Sequence, residues 1–462
     1  MLIDIAQRKD GGMISLHSEM VTRHGFITGA TGTGKTVTLK GLAEKMAKAG
    51  SSVFLIDVKG DLNSFGRAGE CTDKLNSFQE KHNLAVPDFR SFKTIFWDIF
   101  GTAGMPVRTT VSDLGPALMA KLLELNNNQT NLLHTIYQIA DDEGLLLLDY
   151  KDLTELVKYL YENNKSFEEA YGTLNKQSMG AIQRALVAMN HMEVDEFFGE
   201  RALELSDLIA TPGTINVMAA QKLILNEKLY STFLLWLLSE LYESLPEIGD
   251  VEVPKLVLFF DEAHLIFKGI SKVLLNKMEQ VIKLIRSKGV AVFFISQRPT
   301  DIPDEIMAQL GNKIQHGIRM KDAKNPMENS DKLLKFGVGE VCISLLDGDG
   351  VALPYEEAVV LPPASWIGKT DDCDYYSNRS LADKYGERID RVSAYEMLTK
   401  RNTSNRETAG STKRSTSSKT KSKGGRKKDS FGTKVAKSLL SSFGRSLGSG
   451  LARGLMGTLK RY

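Results

Sequence analysis

The sequence has few residues suited to covalent cross-links or metal binding. Only three cysteines, Cys71, Cys342 and Cys373, occur in 462 residues, and their spacing fits neither a disulfide framework nor a metal site. The seven histidines are scattered along the chain, so they predict no metal site either. This pattern suits a reducing compartment.

Long hydrophobic runs are also missing. No apolar segment approaches the roughly 18 residues that would indicate a membrane span. The N-terminal segment MLIDIAQRKDGG has an acidic residue early and no long apolar core, so it does not have the form of a secretory signal. We therefore expect a cytoplasmic protein.

The net charge of +2 conceals an uneven distribution. Residues 401–462 contain sixteen Lys and Arg and two acidic residues, a net charge of +14, which leaves −12 for residues 1–400. With 25% charged and 42% hydrophobic residues the chain is otherwise ordinary for a globular protein, and its length predicts roughly two to four domains. A basic tail on an acidic body suggests a polyanionic partner for the tail.

A glycine-rich loop follows the short apolar run Phe26-Ile27. The segment TGATGTGKT fits the pattern G-x-x-x-x-G-K-[ST], in which glycines turn successive backbone N–H groups toward an anion. Lys35 is expected to contact the β- and γ-phosphates of ATP, and the Thr36 hydroxyl to hold Mg²⁺. A helix predicted over 36–49 would add its dipole to phosphate binding. The predicted nucleotide-binding residues are Gly29, Ala30, Thr31, Gly32, Thr33, Gly34, Lys35 and Thr36.

Alternating apolar segments predict an α/β fold with a doubly wound, mostly parallel sheet. Strands are predicted at 52–57, 93–97 and 214–218, and within KLVLFFDEAHLIF and GVAVFFISQRP. Helices are predicted at 227–245 and 271–288, and a β-hairpin with DGDG at its turn over 340–361.

The pattern from about 110 to 210 is helical and predicts an insertion in this fold, whereas 402–428 is rich in Ser, Thr, Lys and Arg and predicts disorder. The expected organisation is an N-terminal part of the ATPase core, a helical insertion, a C-terminal part of the core, C-terminal helices, a basic linker, and a Gly-rich amphipathic helix. The predicted boundaries are 1–107, 108–212, 213–365, 366–400, 401–430 and 431–462.

Two acidic residues follow a predicted buried strand, at the strand end where open α/β sheets bind ligands. Asp261 is expected to support Mg²⁺ together with Thr36, and Glu262 to activate the water that attacks the γ-phosphate. The alternative is a pair of acids that caps the next helix. Gln297 follows the next apolar strand and is expected to contact the γ-phosphate or the attacking water; the alternative is a turn residue before Pro299.

Four segments together resemble the HerA/FtsK superfamily of ring-forming, DNA-pumping ATPases, and most closely the bacterial HerA-like helicase family. They are RHGFITGATGTGKT, FLIDVKGDL, LVLFFDEAH and IRSKGVAVFFISQRPTDIPDEIMAQLGNKIQHGIR. The resemblance implies a RecA-like core and a homohexamer with ATP sites between subunits. It also implies an arginine supplied by the neighbouring subunit, for which Arg319 fits best and Arg286 is the alternative. Asp57, Lys59 and Asp61 are expected near the site, in roles that the sequence does not separate.

The basic tail has two predicted parts. Residues 413–428 form an arm that would neutralise phosphates without reading base sequence, or else a solvated linker. Beyond it, apolar residues recur every four positions from Phe431 to Leu459, with glycines between them. This spacing favours a docked oligomerisation helix, with a basic helix on a membrane surface as the alternative.

The favoured function is ATP hydrolysis coupled to the translocation or unwinding of duplex DNA. The sequence is also compatible with two alternatives. One is a nucleotide-switched scaffold that recruits a nuclease or another partner, and the other is a membrane-associated pump for DNA or protein.

Overall fold

One large sheet forms the centre of the protein in the computed structural model, which describes residues 1–189, 194–319, 330–371 and 373–411. The strands are β1 (Leu2–Arg8), β2 (Met13–His17), β3 (Gly25–Thr28), β4 (Ser52–Asp57), β5 (Thr94–Asp98), β6 (Met105–Pro106), β7 (Ile215–Ala219), β8 (Leu256–Phe260), β9 (Val290–Ser296), β10 (Asn312–His316), β11 (Glu340–Ser344) and β12 (Glu356–Val360).

The helices of the described residues connect these strands. They are α1 (Lys35–Lys48), α2 (Asp73–His82), α3 (Val111–Leu122), α4 (Asn127–Asp142), α5 (Tyr150–Asn163), α6 (Glu168–Tyr171), α7 (Lys176–Met189), α8 (Leu205–Ile209), α9 (Glu227–Ser244), α10 (His264–Phe267), α11 (Lys272–Ile285), α12 (Asp304–Met307), α13 (Ser330–Leu333), α14 (Arg379–Gly386) and α15 (Ala394–Ser411).

Most of the sheet is parallel, as the sequence predicts. The strand order is β2-β1-β12-β11-β10-β3-β9-β8-β4-β7-β5-β6, and every pairing from β10 to β6 is parallel. The predicted hairpin is confirmed as β11 and β12. It extends the sheet, because β11 pairs with β10 and β12 pairs with β1, which in turn pairs with β2 at the end of the sheet; all of these pairings are antiparallel. Strands β1 and β2 were not predicted, because residues 1–12 were interpreted only as a possible leader segment.

Both faces of the central parallel strands are buried, which explains the apolar runs in β3, β4, β8 and β9. In β4, Phe54 and Ile56 belong to one hydrophobic core, and Val53 and Leu55 belong to the core on the other face. Because side chains alternate between the faces of a strand, a strand covered on both sides must be apolar at every position. Helices on both faces give the doubly wound arrangement.

The predicted helical insertion shares its core with the sheet. Helices α3 to α8 follow β6 and precede β7. Their buried residues, such as Ile136 and Leu153, belong to the same hydrophobic core as Phe54 and Phe260 of the sheet. We therefore describe Met1–Thr399 as one compact unit.

The C-terminal predictions fall mostly outside the described residues. Helix α15 continues to Ser411, past the predicted boundary at 400 and into the first ten residues that were expected to be disordered. The rest of the basic linker and the helix predicted at 431–462 lie outside the described residues. Within the part of the chain that the structure describes, no helix is both long enough and apolar enough to cross a membrane.

Candidate active site

The predicted site residues lie at one edge of the sheet. The neighbouring strands β10, β3, β9, β8 and β4 are parallel, so their carboxyl ends meet at this edge. The glycine-rich loop follows β3, Asp261 follows β8 and Gln297 follows β9, while Asp57 ends β4 and His316 ends β10. Open α/β sheets bind their ligands at this edge.

The glycine-rich loop has a backbone that favours glycine at three positions. Gly29, Gly32 and Gly34 have φ values of 151°, 84° and 107°. A Cβ atom on Gly29 would lie 2.5 Å from Cβ of His316, so close packing as well as the backbone angle requires glycine there. The loop ends in helix α1, whose first residue is Lys35. This is the strand, loop and helix arrangement expected of a phosphate-binding loop.

The His316 ring forms hydrogen bonds to the glycine-rich loop and to helix α1. Its Nδ1 lies 3.0 Å from the Thr33 carbonyl oxygen, and its Nε2 lies 2.9 Å from the Thr38 hydroxyl. Because a carbonyl can only accept, Nδ1 carries the proton and Nε2 accepts from Thr38. Burial, together with the charge of Lys35, lowers the pKa of His316 to about 3, so the ring is neutral. His316 was not among the predicted site residues.

Lys35 is held inside the loop. Its ammonium group donates to the carbonyl oxygens of Gly29, at 2.5 Å, and Ala30, at 3.0 Å. Burial lowers the pKa of Lys35, and the nearby cation Lys59 lowers it too. A cation with few compensating charges lies where the loop would receive a phosphate chain, which fits the predicted role of Lys35.

Asp261 and Glu262 are both constrained by their surroundings. Asp261 is buried, its carboxylate accepts from the Glu262 N–H at 2.9 Å, and its carbonyl accepts from the Tyr230 hydroxyl at 2.6 Å. Burial raises the pKa of Asp261 to about 6, and the charge of Lys59 opposes that rise. Glu262 has a φ of 49°, in the left-handed region that non-glycine residues seldom adopt.

Lys59 is a counter-ion for both acids. Its ammonium nitrogen lies 3.9 Å from Oδ2 of Asp261 and 3.8 Å from Oε1 of Glu262. The Lys59 side chain is 43% exposed, so the contact is open to solvent and weak. The geometry therefore assigns Lys59 to the acidic pair.

Asp57 has a different function in the same region. Its carboxylate accepts from the backbone N–H groups of Gly60, Asp61 and Leu62, at 2.6, 3.2 and 3.1 Å. These bonds fix the turn that follows β4 and that carries Lys59. The Asp57 carboxylate is therefore engaged in hydrogen bonds that hold the turn after β4.

The remaining predicted residues take different places. Gln297 is exposed directly after β9, between the strands of the loop and of the acidic pair. Arg319 is also exposed, and its Nη2 donates to the Thr31 carbonyl of its own loop at 3.2 Å. Arg286 precedes β9 at the opposite edge of the sheet, where its Nε lies 3.6 Å from Asp250.

These residues fit a magnesium-bound nucleotide. The described residues contain no group of three or more His, Cys, Asp or Glu placed to hold a metal ion by themselves. Mg²⁺ in nucleotide sites is commonly held by one or two protein ligands together with phosphate oxygens. The Thr36 hydroxyl, which follows the loop after β3, and the Asp261 carboxylate, which follows β8 with β9 between the two strands, are the hard oxygen donors that would hold it.

Comparisons with known proteins agree with this geometry. Residues 3–462 match the family model described as the helicase HerA-like C-terminal family. The chain is 23% identical over 332 residues to the DNA double-strand break repair helicase HerA of Saccharolobus solfataricus, covering 69% of this chain and 59% of that protein. It therefore spans about three fifths of that relative's length.

Solved structures share the fold. The plasmid coupling protein TrwB, in complex with a non-hydrolysable GTP analogue, aligns with a TM-score of 0.55 at 13% identity, over 79% of this chain and 91% of that one. VirB4 of Thermoanaerobacter pseudethanolicus aligns with a TM-score of 0.50 at 16% identity, over 78% and 96%. Because the family model covers nearly the whole sequence, the chain belongs to the HerA-like family of P-loop ATPases.

Proposed function

We propose that this chain is a ring-forming ATPase that couples ATP hydrolysis to the translocation or unwinding of DNA. The observation that carries the proposal is the convergence of Lys35, Asp261 and Glu262 at one edge of five parallel strands. A passive nucleotide-binding site needs the loop alone. An acid that follows the metal-supporting aspartate adds a group that can activate water.

Each residue has a distinct task in this proposal. The loop N–H groups and Lys35 bind the phosphates, and Thr36 and Asp261 hold Mg²⁺, which supplies charge neutralisation at the phosphates when bound. Glu262 accepts the proton of the attacking water. Gln297, exposed between the two strands, contacts the γ-phosphate or that water.

DNA is the proposed substrate for two reasons. The similar protein from Saccharolobus solfataricus is named a DNA double-strand break repair helicase. Residues 401–462 carry a net charge of +14, which suits contact with a polyanion without base specificity. A nuclease partner and contact of the tail with a membrane surface remain secondary proposals.

The decisive measurement is phosphate release by the purified full-length chain, with and without duplex DNA, beside its mass in solution. We expect hydrolysis that DNA stimulates and the mass of a hexamer. Lys35→Ala is the inactive control. ATP-dependent capture of a partner without any stimulation by DNA would replace the motor with a nucleotide-switched scaffold. A monomeric mass at all concentrations would refute the ring.

Substitution of Arg319 tests whether each ATP site of the proposed ring is completed by the neighbouring subunit. The family resemblance predicts that it acts on a neighbour's nucleotide, whereas its contact with Thr31 favours action on its own. Loss of such an arginine costs on the order of 10³ in rate. Arg319→Ala should therefore bind ATP and hydrolyse it poorly under either assignment.

Mixed rings separate the two assignments. Combining Lys35→Ala subunits with Arg319→Ala subunits creates interfaces at which an intact Lys35 loop faces an intact neighbouring Arg319. Recovery of part of the activity in mixed rings, verified by mass, would show action between subunits. If mixed rings recover no hydrolysis activity, Arg319 acts on its own subunit's site. The same experiment with Arg286→Ala subunits in place of Arg319→Ala subunits would then test the alternative residue.

A further inference from the structure

A basic groove opens between the helical insertion and the carboxyl edge of the sheet. It has a volume of about 1500 Å³ and is lined by α3, α4, α9, α10 and α11 and by the loops before α9 and α11. The charged residues that line it are five lysines and two glutamates, namely Lys121, Lys222, Lys228, Lys268, Lys277, Glu124 and Glu227. An excess of cations here contrasts with the net charge of −12 over residues 1–400.

The lysines of the groove can exchange their present partners for an anionic ligand. Lys228 lies 2.7 Å from Glu124, and Lys268 lies 2.6 Å from Glu227, but all four side chains are more than 40% exposed. Exposed ion pairs of this kind contribute little free energy, because water screens both partners. Lys222 stacks its ammonium over the Phe100 ring at 4.1 Å, which holds the charge at the groove wall.

The groove is next to the acidic pair of the active site. Helix α9 lines the groove through Lys228 and Ser231, and between them the Tyr230 hydroxyl donates to the Asp261 carbonyl at 2.6 Å. Helix α10 begins two residues after Glu262 and is followed by Lys268, which also lines the groove. A shift of either helix would therefore move the backbone that carries the acids.

We propose that the basic groove binds the phosphodiester backbone of a nucleic acid, and that Tyr230 transmits its occupation to Asp261 and Glu262. The proposal rests on the proposed function, since it assigns a body site for the polyanion and a route for DNA stimulation. Phosphate groups match the excess of lysines around this open groove. The left-handed backbone of Glu262 is the element whose geometry α10 would adjust.

The binding test uses the full-length chain with Lys222→Gln and Lys268→Gln together. The matched control is Lys93→Gln with Arg379→Gln, which removes two charges from a second cavity whose Lys93 precedes β5 at the opposite edge. The probes are a labelled duplex and a single strand of the same sequence, titrated by anisotropy at several salt concentrations. We expect the groove variant to bind about tenfold more weakly, with a salt slope lower by about two, because each phosphate contact contributes roughly 0.9.

The coupling test uses Tyr230→Phe, which keeps the buried ring and removes only the hydroxyl. We expect this variant to bind the duplex with unchanged affinity and salt slope while losing most of the stimulation of hydrolysis by DNA. Stimulation at the wild-type level would refute the route through Tyr230.

The outcomes separate this proposal from the proposed function. A groove variant that binds both probes with wild-type affinity and slope, in a preparation whose hydrolysis DNA stimulates, would overturn the groove and leave the motor intact. A wild-type protein that binds neither probe would overturn both. A groove variant with lower mass and unchanged affinity for DNA would instead make the groove a contact between copies of the chain.

Discussion

His316 provides a quantitative test of the loop architecture. Its neutral ring is buried between Thr33 and Thr38, and its pKa is about 3 in the folded protein against about 6.5 when exposed. A histidine whose pKa is lowered by folding contributes stability that is present above pH 6.5 and is lost as the pH falls toward 3. Between pH 7.5 and pH 5 this loss amounts to roughly 2 kcal/mol of unfolding free energy.

The perturbation is His316→Gln, which removes the titrating group and retains an amide that can donate to Thr33. We expect the unfolding free energy of the variant to fall by roughly 2 kcal/mol less than that of the wild type between these two pH values. Urea unfolding, followed by tryptophan fluorescence at pH 7.5 and 5.0, measures the difference.

A second histidine supplies the matched control. His24 is also buried, with a pKa lowered to about 4 by burial, and its ring bonds the Ile282 carbonyl and the Val292 N–H at the other edge of the sheet. His24→Gln should reduce the loss of unfolding free energy between pH 7.5 and pH 5 by a similar amount but leave ATP affinity unchanged. His316→Gln should reduce that loss and also weaken ATP binding. Equal pH dependence in the wild type and both variants would refute the assignment of neutral, buried rings.

Three further predictions concern the active site and the tail. Lys35→Ala should abolish both tight ATP binding and hydrolysis, while Glu262→Gln should bind ATP and fail to hydrolyse it; equal losses of affinity in equilibrium binding would contradict these roles. Lys59→Met should lower the hydrolysis rate at saturating ATP while ATP affinity stays within about twofold, because its partners are the two acids and not the loop. Removal of 401–462 should weaken duplex binding and flatten its salt dependence, and an unchanged slope would reduce the tail to a linker.

The sequence predicted the site best where one local segment carries the whole signal. The strand at 52–57 was predicted with its observed bounds, and the helix after the glycine-rich loop, predicted to begin at 36, begins at Lys35, because glycine spacing and an uninterrupted apolar run are local patterns. His316 could not be found in this way. Its partner Thr33 is 283 residues away, and a single histidine at a strand end forms no pattern.

Side-chain direction was the other limit of prediction. The sequence placed Asp57 and Lys59 near the site but did not indicate their roles. These roles depend on a turn that only the folded backbone defines. Arg319 was expected to complete a neighbour's site, and the structure adds that its guanidinium contacts the loop of its own chain. Register and spacing fix where a residue lies, whereas its partners follow from how separate segments meet.

Both residues of the acidic pair are unfavourable for folding. Asp261 is buried with a raised pKa, so the charged carboxylate is unfavourable where it lies. The next residue, Glu262, has a left-handed backbone that costs roughly 1 kcal/mol more for glutamate than for glycine. An apolar residue followed by glycine would fold at lower cost at these positions. The chain instead places two carboxylates there, beside the solvent-exposed Lys59, and the proposed chemistry at the phosphate edge would account for both unfavourable states.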